Sequence, residues 1–187
     1  MEEFEIKFLE VDVPSLEKKL LAIRAKKVAD YDYSRVLMDY PDHRLDEKDG
    51  WIRLRTDGKE TTLTYKERIG GSEEGDEGMK EIEVIVENYE KTFELLKVIG
   101  LVVKREERNK RVRYEKGEVV FDIDSWPFIP TYLEIESNSY EKARSAAGEL
   151  GFDGDKGIIG TAGTIYKKYG FDKNEYSSIT FEGMIKK

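Results

Sequence analysis

Much of the chain alternates between apolar and polar residues with a period of two, which is typical of β-strands that bury one face. In residues 2–10, Phe4, Ile6 and Phe8 point one way and the charged residues between them point the other. The Asp57-Gly58 dipeptide predicts a tight hairpin turn between two such segments. The alternation predicts eight strands, which cover about residues 2–10, 28–40, 51–57, 60–69, 79–87, 101–115, 118–125 and 131–137.

Other segments carry apolar residues at helical spacing and end at glycine, as amphipathic helices commonly do. Pro14 opens the first helix, the second runs from about Tyr89 to Gly100, and the third covers about 139–150. We also expect a short helix at 164–169. Together these elements predict one α+β domain over residues 1–171, followed by a tail at 172–187 that has no firm pattern. Residues 70–78, rich in glycine and acid, are predicted to form a mobile, solvated loop.

The polar faces of the strands carry like charges two residues apart. Like charges on one face cost free energy unless opposite charges or a ligand compensate them. Eight antiparallel strands can close into a barrel whose interior holds one small ligand. We therefore predict a closed eight-stranded antiparallel β-barrel, a tunnel with a polar interior, coated by amphipathic helices. The pairs are Glu3/Glu5, Arg53/Arg55, Glu81/Glu83, Arg111/Arg113, Asp122/Asp124 and Glu134/Glu136.

Composition narrows the functions that such a barrel could have. The 187 residues include 40 acids and 32 bases, and the formal net charge of −8 argues against nucleic acid or an anionic membrane as the main partner. There is no cysteine and a single histidine, His43, so thiolate and multi-histidine metal sites are excluded. No apolar run is long enough to span a membrane and the N-terminus does not resemble a signal peptide, so we expect a cytoplasmic protein.

The mixed charge of the predicted interior indicates the chemistry of its ligand. Carboxylates bind hard divalent cations such as Mg²⁺ and Mn²⁺. Arginine and lysine bind phosphate oxygens. A metal–triphosphate complex would satisfy both sets of side chains. Besides the carboxylates of the four acidic pairs, we expect the interior to contain Lys7, Arg53, Arg55, Lys66, Arg68 and Arg111.

Several motifs follow one another in a fixed order along residues 1–150. They are a Glu-x-Glu-x-Lys start, an Arg-x-Arg strand, a lysine on the next strand, a Glu-x-Glu strand, a Lys-Arg-x-x-Tyr segment, and an aspartate ten residues before a last Glu-x-Glu. Their residues are Glu3, Glu5, Lys7, Arg53, Arg55, Lys66, Glu81, Glu83, Lys110, Arg111, Tyr114, Asp124, Glu134 and Glu136. The series resembles the CYTH superfamily, also called triphosphate tunnel metalloenzymes, which includes class IV adenylate cyclases and thiamine and inorganic triphosphatases.

The resemblance and the alternation together give each residue an expected role. The metal ligands are expected to be Glu3, Glu5, Glu134 and Glu136. Second-metal or water-positioning roles are expected for Glu83 and Asp124. Phosphate binding is expected from Lys7, Arg53, Arg55, Lys66 and Arg111, with Arg113 a weaker candidate. The alternative for each residue is a solvated strand face with surface ion pairs, and we expect His43 to be a solvated loop residue.

The expected function is metal-dependent hydrolysis of a triphosphate substrate, either inorganic triphosphate or a nucleoside triphosphate, with Mg²⁺ or Mn²⁺. A class IV-like adenylate cyclase is the first alternative, because the ribose hydroxyl could replace water as the nucleophile. A binding module for polyphosphate or nucleotide without catalysis is the second. The partner is expected to be a small molecule, and the sequence leaves open whether the chain is a monomer or a homodimer.

Overall fold

The computed structural model describes residues 4–69 and 79–187. Glu3 and the predicted loop at 70–78 lie outside the described residues. The strands are β1 (Phe4–Phe8), β2 (Lys26–Asp39), β3 (Gly50–Thr56), β4 (Thr61–Arg68), β5 (Met79–Ile85), β6 (Val102–Lys116), β7 (Val119–Ser125), β8 (Tyr132–Ser137), β9 (Tyr176–Thr180) and β10 (Gly183–Lys186). The helices are α1 (Val13–Ala22), α2 (Tyr89–Val98), α3 (Tyr140–Glu149) and α4 (Ala162–Lys168), and short 3₁₀ turns cover Asp46–Lys48, Gly154–Lys156 and Lys173–Glu175.

The predicted α+β class is confirmed, since a large, mainly antiparallel sheet is accompanied by four α-helices in the described residues. The chain divides into two compact units. Of the described residues, the first unit contains 32–69, 79–109 and 172–187, and the second contains 4–31 and 110–171. The long strands β2 and β6 each contribute residues to both units.

The sheet of the first unit is built around an antiparallel β2–β3–β4–β5 series. Its apolar face packs on α2, with Met38, Leu54 and Leu96 among the buried residues. Asn88 caps α2, because its side-chain oxygen accepts a hydrogen bond from the Lys91 amide at 2.8 Å. The predicted amphipathic helix therefore covers the apolar side and leaves the polar side of the strands to the charged residues.

The turn between β3 and β4 fixes the register of these two strands. The Asp57 carboxylate accepts hydrogen bonds from the amides of Lys59 and Glu60, each at 2.9 Å. Gly58 has a φ of 85°, which glycine adopts without strain. The first pair beyond the turn is Thr56 with Thr61. The hairpin predicted from Asp57-Gly58 is present.

The second unit contains an antiparallel β1–β8–β7–β6 series, of which β6 contributes the residues from Lys110 onward. Its core is apolar and includes Leu20, Phe121, Ile135 and Ala147, each with no exposed surface. Helices α1 and α3 supply Leu20 and Ala147, so amphipathic helices cover this sheet as well.

The strand order runs from β1 through β8, β7, β6, β2, β3 and β4 to β5. In the residues that the structure describes, this order is an open path, so the predicted closed barrel is not confirmed by hydrogen bonding. Residues 172–187, for which no firm pattern was predicted, form a 3₁₀ turn and the β9–β10 hairpin, and β9 pairs in parallel with β6. Within the described ranges, no helix has the length and apolar character needed to cross a membrane.

Candidate active site

Strand register places the charged residues of the second unit on one face of four neighbouring strands. Across β1 and β8, Glu5 lies opposite Glu136 and Lys7 opposite Glu134. Across β7 and β8, Asp122 lies opposite Glu134. Across β6 and β7, Arg111 lies opposite Asp124 and Arg113 opposite Asp122. The period of two along each strand therefore brings carboxylates and cations together as neighbours on this face.

Arg111 joins the carboxylates of two strands. Its Nε and Nη2 donate to the two oxygens of Asp124 at 2.7 and 2.6 Å. Nη2 also donates to Glu134 Oε1 at 2.9 Å, and Nη1 lies 2.6 Å from Asp122 Oδ2. Burial disfavours the charged guanidinium, but the surrounding carboxylates outweigh burial and raise the pKa of Arg111. Planar, bidentate geometry of this kind is specific to arginine.

Arg113 makes the same bidentate contact with Asp122, at 2.8 and 2.7 Å. Asp122 therefore receives two arginines while only 1% of its side chain is exposed. Asp122 was predicted to lie in the interior, but no role was predicted for it. Only its position opposite Glu134 could have indicated that role. That position depends on strand register, which the sequence alone does not determine.

Lys7 is the cation of β1 and has 1% of its side chain exposed. Its Nζ lies 2.7 Å from Glu5 Oε1 and 3.2 Å from Glu134 Oε2. Burial lowers the pKa of Lys7, but attraction to Glu134 and Glu5 outweighs burial and raises the pKa above its ordinary value. Lys7 is therefore charged and is held between two of the predicted metal ligands.

Asp124 and Tyr132 lie opposite each other on β7 and β8 and are both buried. Burial raises the pKa of Asp124, Arg111 opposes that shift, and Glu134 and Asp122 add to it. Burial and then the nearby carboxylates Asp124 and Glu134 raise the pKa of Tyr132. Tyr132 therefore stays protonated at neutral pH beside a buried carboxylate, a position that the sequence analysis did not single out.

The carboxylates of the second unit have the oxygen chemistry that Mg²⁺ and Mn²⁺ prefer. Glu5 and Glu134 converge on the same ammonium group, so their oxygens already face a common point. In the described residues, no group of three or more acidic or histidine side chains is arranged as a ready metal site. The donor type thus fits a divalent cation, and the predicted ligand Glu3 lies outside the described residues.

The first unit contains a separate network on β3, β4 and β5. Arg53 lies opposite Thr64, which lies opposite Glu83, and Lys66 lies opposite Glu81. Arg53 Nη2 is 3.3 Å from Glu81 Oε1 and 3.1 Å from Glu83 Oε2. Lys66 Nζ is 2.5 Å from Glu81 Oε2. Three of the predicted site residues, Arg53, Lys66 and Glu83, therefore contact one another or share a partner.

Arg55 and Thr64 complete this network around Glu83. Arg55 Nη2 lies 3.6 Å from Glu83 Oε2, and the Thr64 hydroxyl donates to the same oxygen at 2.7 Å. Burial raises the pKa of Glu83, but the Thr64 hydrogen bond and the charges of Arg55 and Arg53 outweigh it and lower the pKa. Glu83 is consequently ionised at neutral pH. Thr64 was not among the predicted site residues, because threonine is uncharged and common on strands.

The structure thus groups the predicted residues by unit. Glu5, Lys7, Arg111, Asp124 and Glu134 form one network in the second unit, and Arg53, Arg55, Lys66 and Glu83 form another in the first. Glu136 lies on the same face as Glu134, opposite Glu5. His43 is exposed in the loop before β3.

A protein-family model described as the CYTH domain matches residues 1–157. That range contains every residue predicted for the site. A search of curated proteins finds no match.

Solved structures with the same fold come from several organisms. A candidate adenylate cyclase from Vibrio parahaemolyticus has a TM-score of 0.76 at 13% identity, covering 89% of this chain and 98% of that one. A Pyrococcus horikoshii protein has a TM-score of 0.69 at 21% identity, covering 83% and 94%. A candidate adenylyl cyclase from Hippeastrum, for which a dominant triphosphatase activity is described, has a TM-score of 0.64 at 17% identity, covering 91% and 96%. These likenesses concern the fold.

Proposed function

The chain belongs to the CYTH domain family, and from this premise we propose that it is a metal-dependent phosphohydrolase that cleaves inorganic or nucleoside triphosphates. One observation carries the proposal. In the second unit, carboxylates from β7 and β8 share the Arg111 guanidinium, and carboxylates from β1 and β8 share the Lys7 ammonium. A solvated strand face would not bury so many charges of both signs.

Phosphate binding is the proposed role of the cations. These cations lie beside carboxylates in both units. They are Arg53, Arg55 and Lys66 in the first unit and Lys7 and Arg111 in the second. A polyanion would compete with these carboxylates for the same donors, and charge-assisted hydrogen bonds to phosphate are strong. Holding these donors in place before substrate arrives lowers the reorganisation needed during phosphoryl transfer, in which positioning and electrostatics supply most of the catalysis.

The carboxylates have two proposed roles. Glu3, Glu5, Glu134 and Glu136 would hold Mg²⁺ or Mn²⁺, which supplies charge neutralisation to the phosphate oxygens when bound. Asp124 and Glu83 would accept a hydrogen bond from the attacking water and orient it. The lowered pKa of Glu83 keeps this residue in the ionised form that such a role requires.

The proposal is tested by product analysis. Purified protein is incubated with inorganic triphosphate or ATP, each with Mg²⁺ or Mn²⁺, and phosphate, pyrophosphate and cyclic AMP are measured. Release of phosphate without cyclic AMP supports the proposal. Cyclic AMP with pyrophosphate identifies a cyclase instead, and saturable binding without turnover identifies a binding module. The Glu134→Gln variant should lose turnover, whereas Glu90→Gln on the exposed side of α2 should retain it.

A further inference from the structure

A second group of buried charges lies in the first unit, apart from the residues assigned above. It consists of Arg35 on β2, Arg105 and Glu107 on β6, and Lys173 in the 3₁₀ turn that precedes β9. Each of the four residues has less than a tenth of its surface exposed. We call these four residues the β6 charge cluster. Buried charges are costly, so a group of this kind calls for a physical reason.

Two of the three cations in the β6 charge cluster contact the same carboxylate oxygen. Glu107 Oε1 accepts a hydrogen bond from Arg105 Nε at 2.5 Å and lies 2.7 Å from Lys173 Nζ. Arg105 Nη1 also donates to the backbone carbonyl of Lys173 at 2.8 Å. Arg35 Nη2 donates to Oδ1 of Asn109, which lies two residues after Glu107 on β6. The cations are therefore held in fixed positions by strand β6 and by the chain around Lys173.

Three of the four residues in the cluster are cations and one is a carboxylate. Burial lowers the pKa of Lys173 to about 8; attraction to Glu107 opposes burial, whereas repulsion from Arg105 and Arg35 adds to it. Burial raises the pKa of Glu107, but Lys173, Arg105 and Arg35 outweigh burial and lower that pKa to about 2. An additional anion would be attracted by all three cations.

Strand register also places the cluster next to a residue proposed to bind phosphate. Arg35 lies directly opposite Arg55 in the β2–β3 ladder. The Tyr33 ring is beside both guanidinium groups, with its centroid 5.5 Å from Arg35 Cζ and 4.4 Å from Arg55 Cζ. Cation–π contacts of this kind hold an arginine head group in place without using its hydrogen-bond donors. The basic character of β3 thus continues onto β2.

We propose that Arg35, Arg105 and Lys173 form a second anion-binding site, which takes one phosphate group beside Arg55. Two guanidinium groups and an ammonium offer the planar and point-like donors that phosphate oxygens accept. Glu107 holds the cations in position when no anion is bound. The phosphate group comes either from free orthophosphate or from the end of a polyphosphate longer than triphosphate, because both present the same dianion. Orthophosphate binding requires no turnover, so this proposal does not depend on the hydrolytic function.

Isothermal titration calorimetry with sodium phosphate at constant ionic strength tests the site. The Arg35→Gln and Lys173→Gln variants should bind orthophosphate at least roughly tenfold more weakly than wild type, since each loses a charged hydrogen-bond donor. Arg108→Gln is the matched control, because Arg108 belongs to the same strand but pairs at the surface with Asp32 and Glu182. The Arg108→Gln variant should bind orthophosphate with the same affinity as wild type.

The Glu107→Gln variant separates an anion site from a purely structural ion cluster. Removing the competing carboxylate should tighten phosphate binding severalfold, although the melting temperature falls. If the cluster has only a structural role, Glu107→Gln should lower the melting temperature without tightening phosphate binding. If Lys173→Gln does not fold, Arg35→Gln decides, because it leaves the contacts of Glu107 with Arg105 and Lys173 intact.

Two further measurements locate the phosphate. Arg35→Gln should weaken orthophosphate binding more than Lys66→Gln, which alters the other network; a greater loss in Lys66→Gln would overturn the proposal. Competition with polyphosphates of increasing length then separates the two sources. A larger effect of Arg35→Gln on longer chains identifies a chain end, and an equal effect identifies free phosphate. No saturable phosphate binding by wild type, or wild-type affinity in both Arg35→Gln and Lys173→Gln, would also overturn it.

Discussion

Lys7 and Glu134 are direct partners across the β1–β8 ladder, and the Lys7 ammonium lies 3.2 Å from the Glu134 carboxylate with both side chains buried. The same ammonium is 2.7 Å from Glu5. Each charge depends on the other, because removal of one partner from a buried pair leaves an uncompensated charge in a poorly hydrated site.

Lys7→Met should therefore destabilise the protein, since methionine keeps the apolar stem and loses only the charge. We expect a loss of about 3–5 kcal/mol in the free energy of unfolding, measured by urea denaturation. Lys18→Met on the exposed face of α1 is the control and should change stability by less than about 0.5 kcal/mol. Equal stability of the two variants would show that the Lys7 pair is not a stabilising contact.

Arg53→Lys should weaken binding of triphosphate while keeping the positive charge. Arg53 contacts Thr64, Glu81 and Glu83 through one nitrogen and keeps further N–H donors for a phosphate, whereas the single ammonium of lysine cannot serve both. We expect KM for inorganic triphosphate to rise by roughly tenfold, which corresponds to one lost charge-assisted hydrogen bond. Lys59→Arg in the exposed β3–β4 turn serves as a control and should leave KM unchanged. An unaltered KM in Arg53→Lys would argue against its role in substrate binding.

Asp124→Asn should lower turnover, because Asp124 fixes the Arg111 guanidinium through two hydrogen bonds. An asparagine oxygen can accept one of them, but its amide cannot accept the other. We expect kcat to fall by at least roughly tenfold. Asp153→Asn, in the exposed segment before the Gly154–Lys156 turn, is the matched substitution that should retain activity. Comparable kcat values for the two variants would show that turnover depends neither on the Asp124–Arg111 contact nor on a water oriented by Asp124.

The low pKa of Glu107 makes a testable contribution to acid stability. Its pKa is about 2 in the folded protein against 4.5 for an unperturbed glutamate, so the folded state favours the ionised form. The stabilisation is fully present above about pH 4.5 and is lost as the pH falls through about 2. The difference in unfolding free energy between wild type and Glu107→Gln should therefore shrink over this interval. A difference independent of pH would contradict the assignment.

Tyr166 offers a test of the segment that joins β7 to β8. Its buried hydroxyl donates to the Pro127 carbonyl at 2.6 Å. Tyr166→Phe should cost about 1–2 kcal/mol of stability, because the carbonyl loses its partner in a buried site. Tyr169→Phe removes a surface hydrogen bond to Glu10 and should cost much less. Thermal denaturation of the two variants compares them directly, and equal losses would show that burial does not distinguish these bonds.

The period of two along each strand was sufficient to predict which charged residues share a face. It correctly grouped Lys7 with Glu5, and Arg111 with Asp124 followed once β6 was paired with β7. Periodicity could not supply strand register, so the role of Asp122 beneath two arginines was not foreseen.

The buried position of a residue in an irregular segment could not be predicted from periodicity. Lys173 lies in a single 3₁₀ turn, where no repeating pattern marks a buried position. Arg105 and Glu107 do share the alternation of Arg111 on β6, and extending that alternation toward the start of the strand would have found them. Arg35 carried no such signal, since its neighbours on β2 are mainly apolar or aromatic.

The β3–β4 turn has a consequence for how related chains can vary in length. The four residues from Asp57 to Glu60 set the pairing that puts Arg53 opposite Thr64, and β4 then puts Thr64 opposite Glu83. One residue inserted into this turn and absorbed by sliding β4 would bring Leu63 or Tyr65 opposite Arg53 and turn the threonine to the other face. Functional relatives should therefore keep this turn at constant length, even where its residues differ, and insertions should accumulate in other connections.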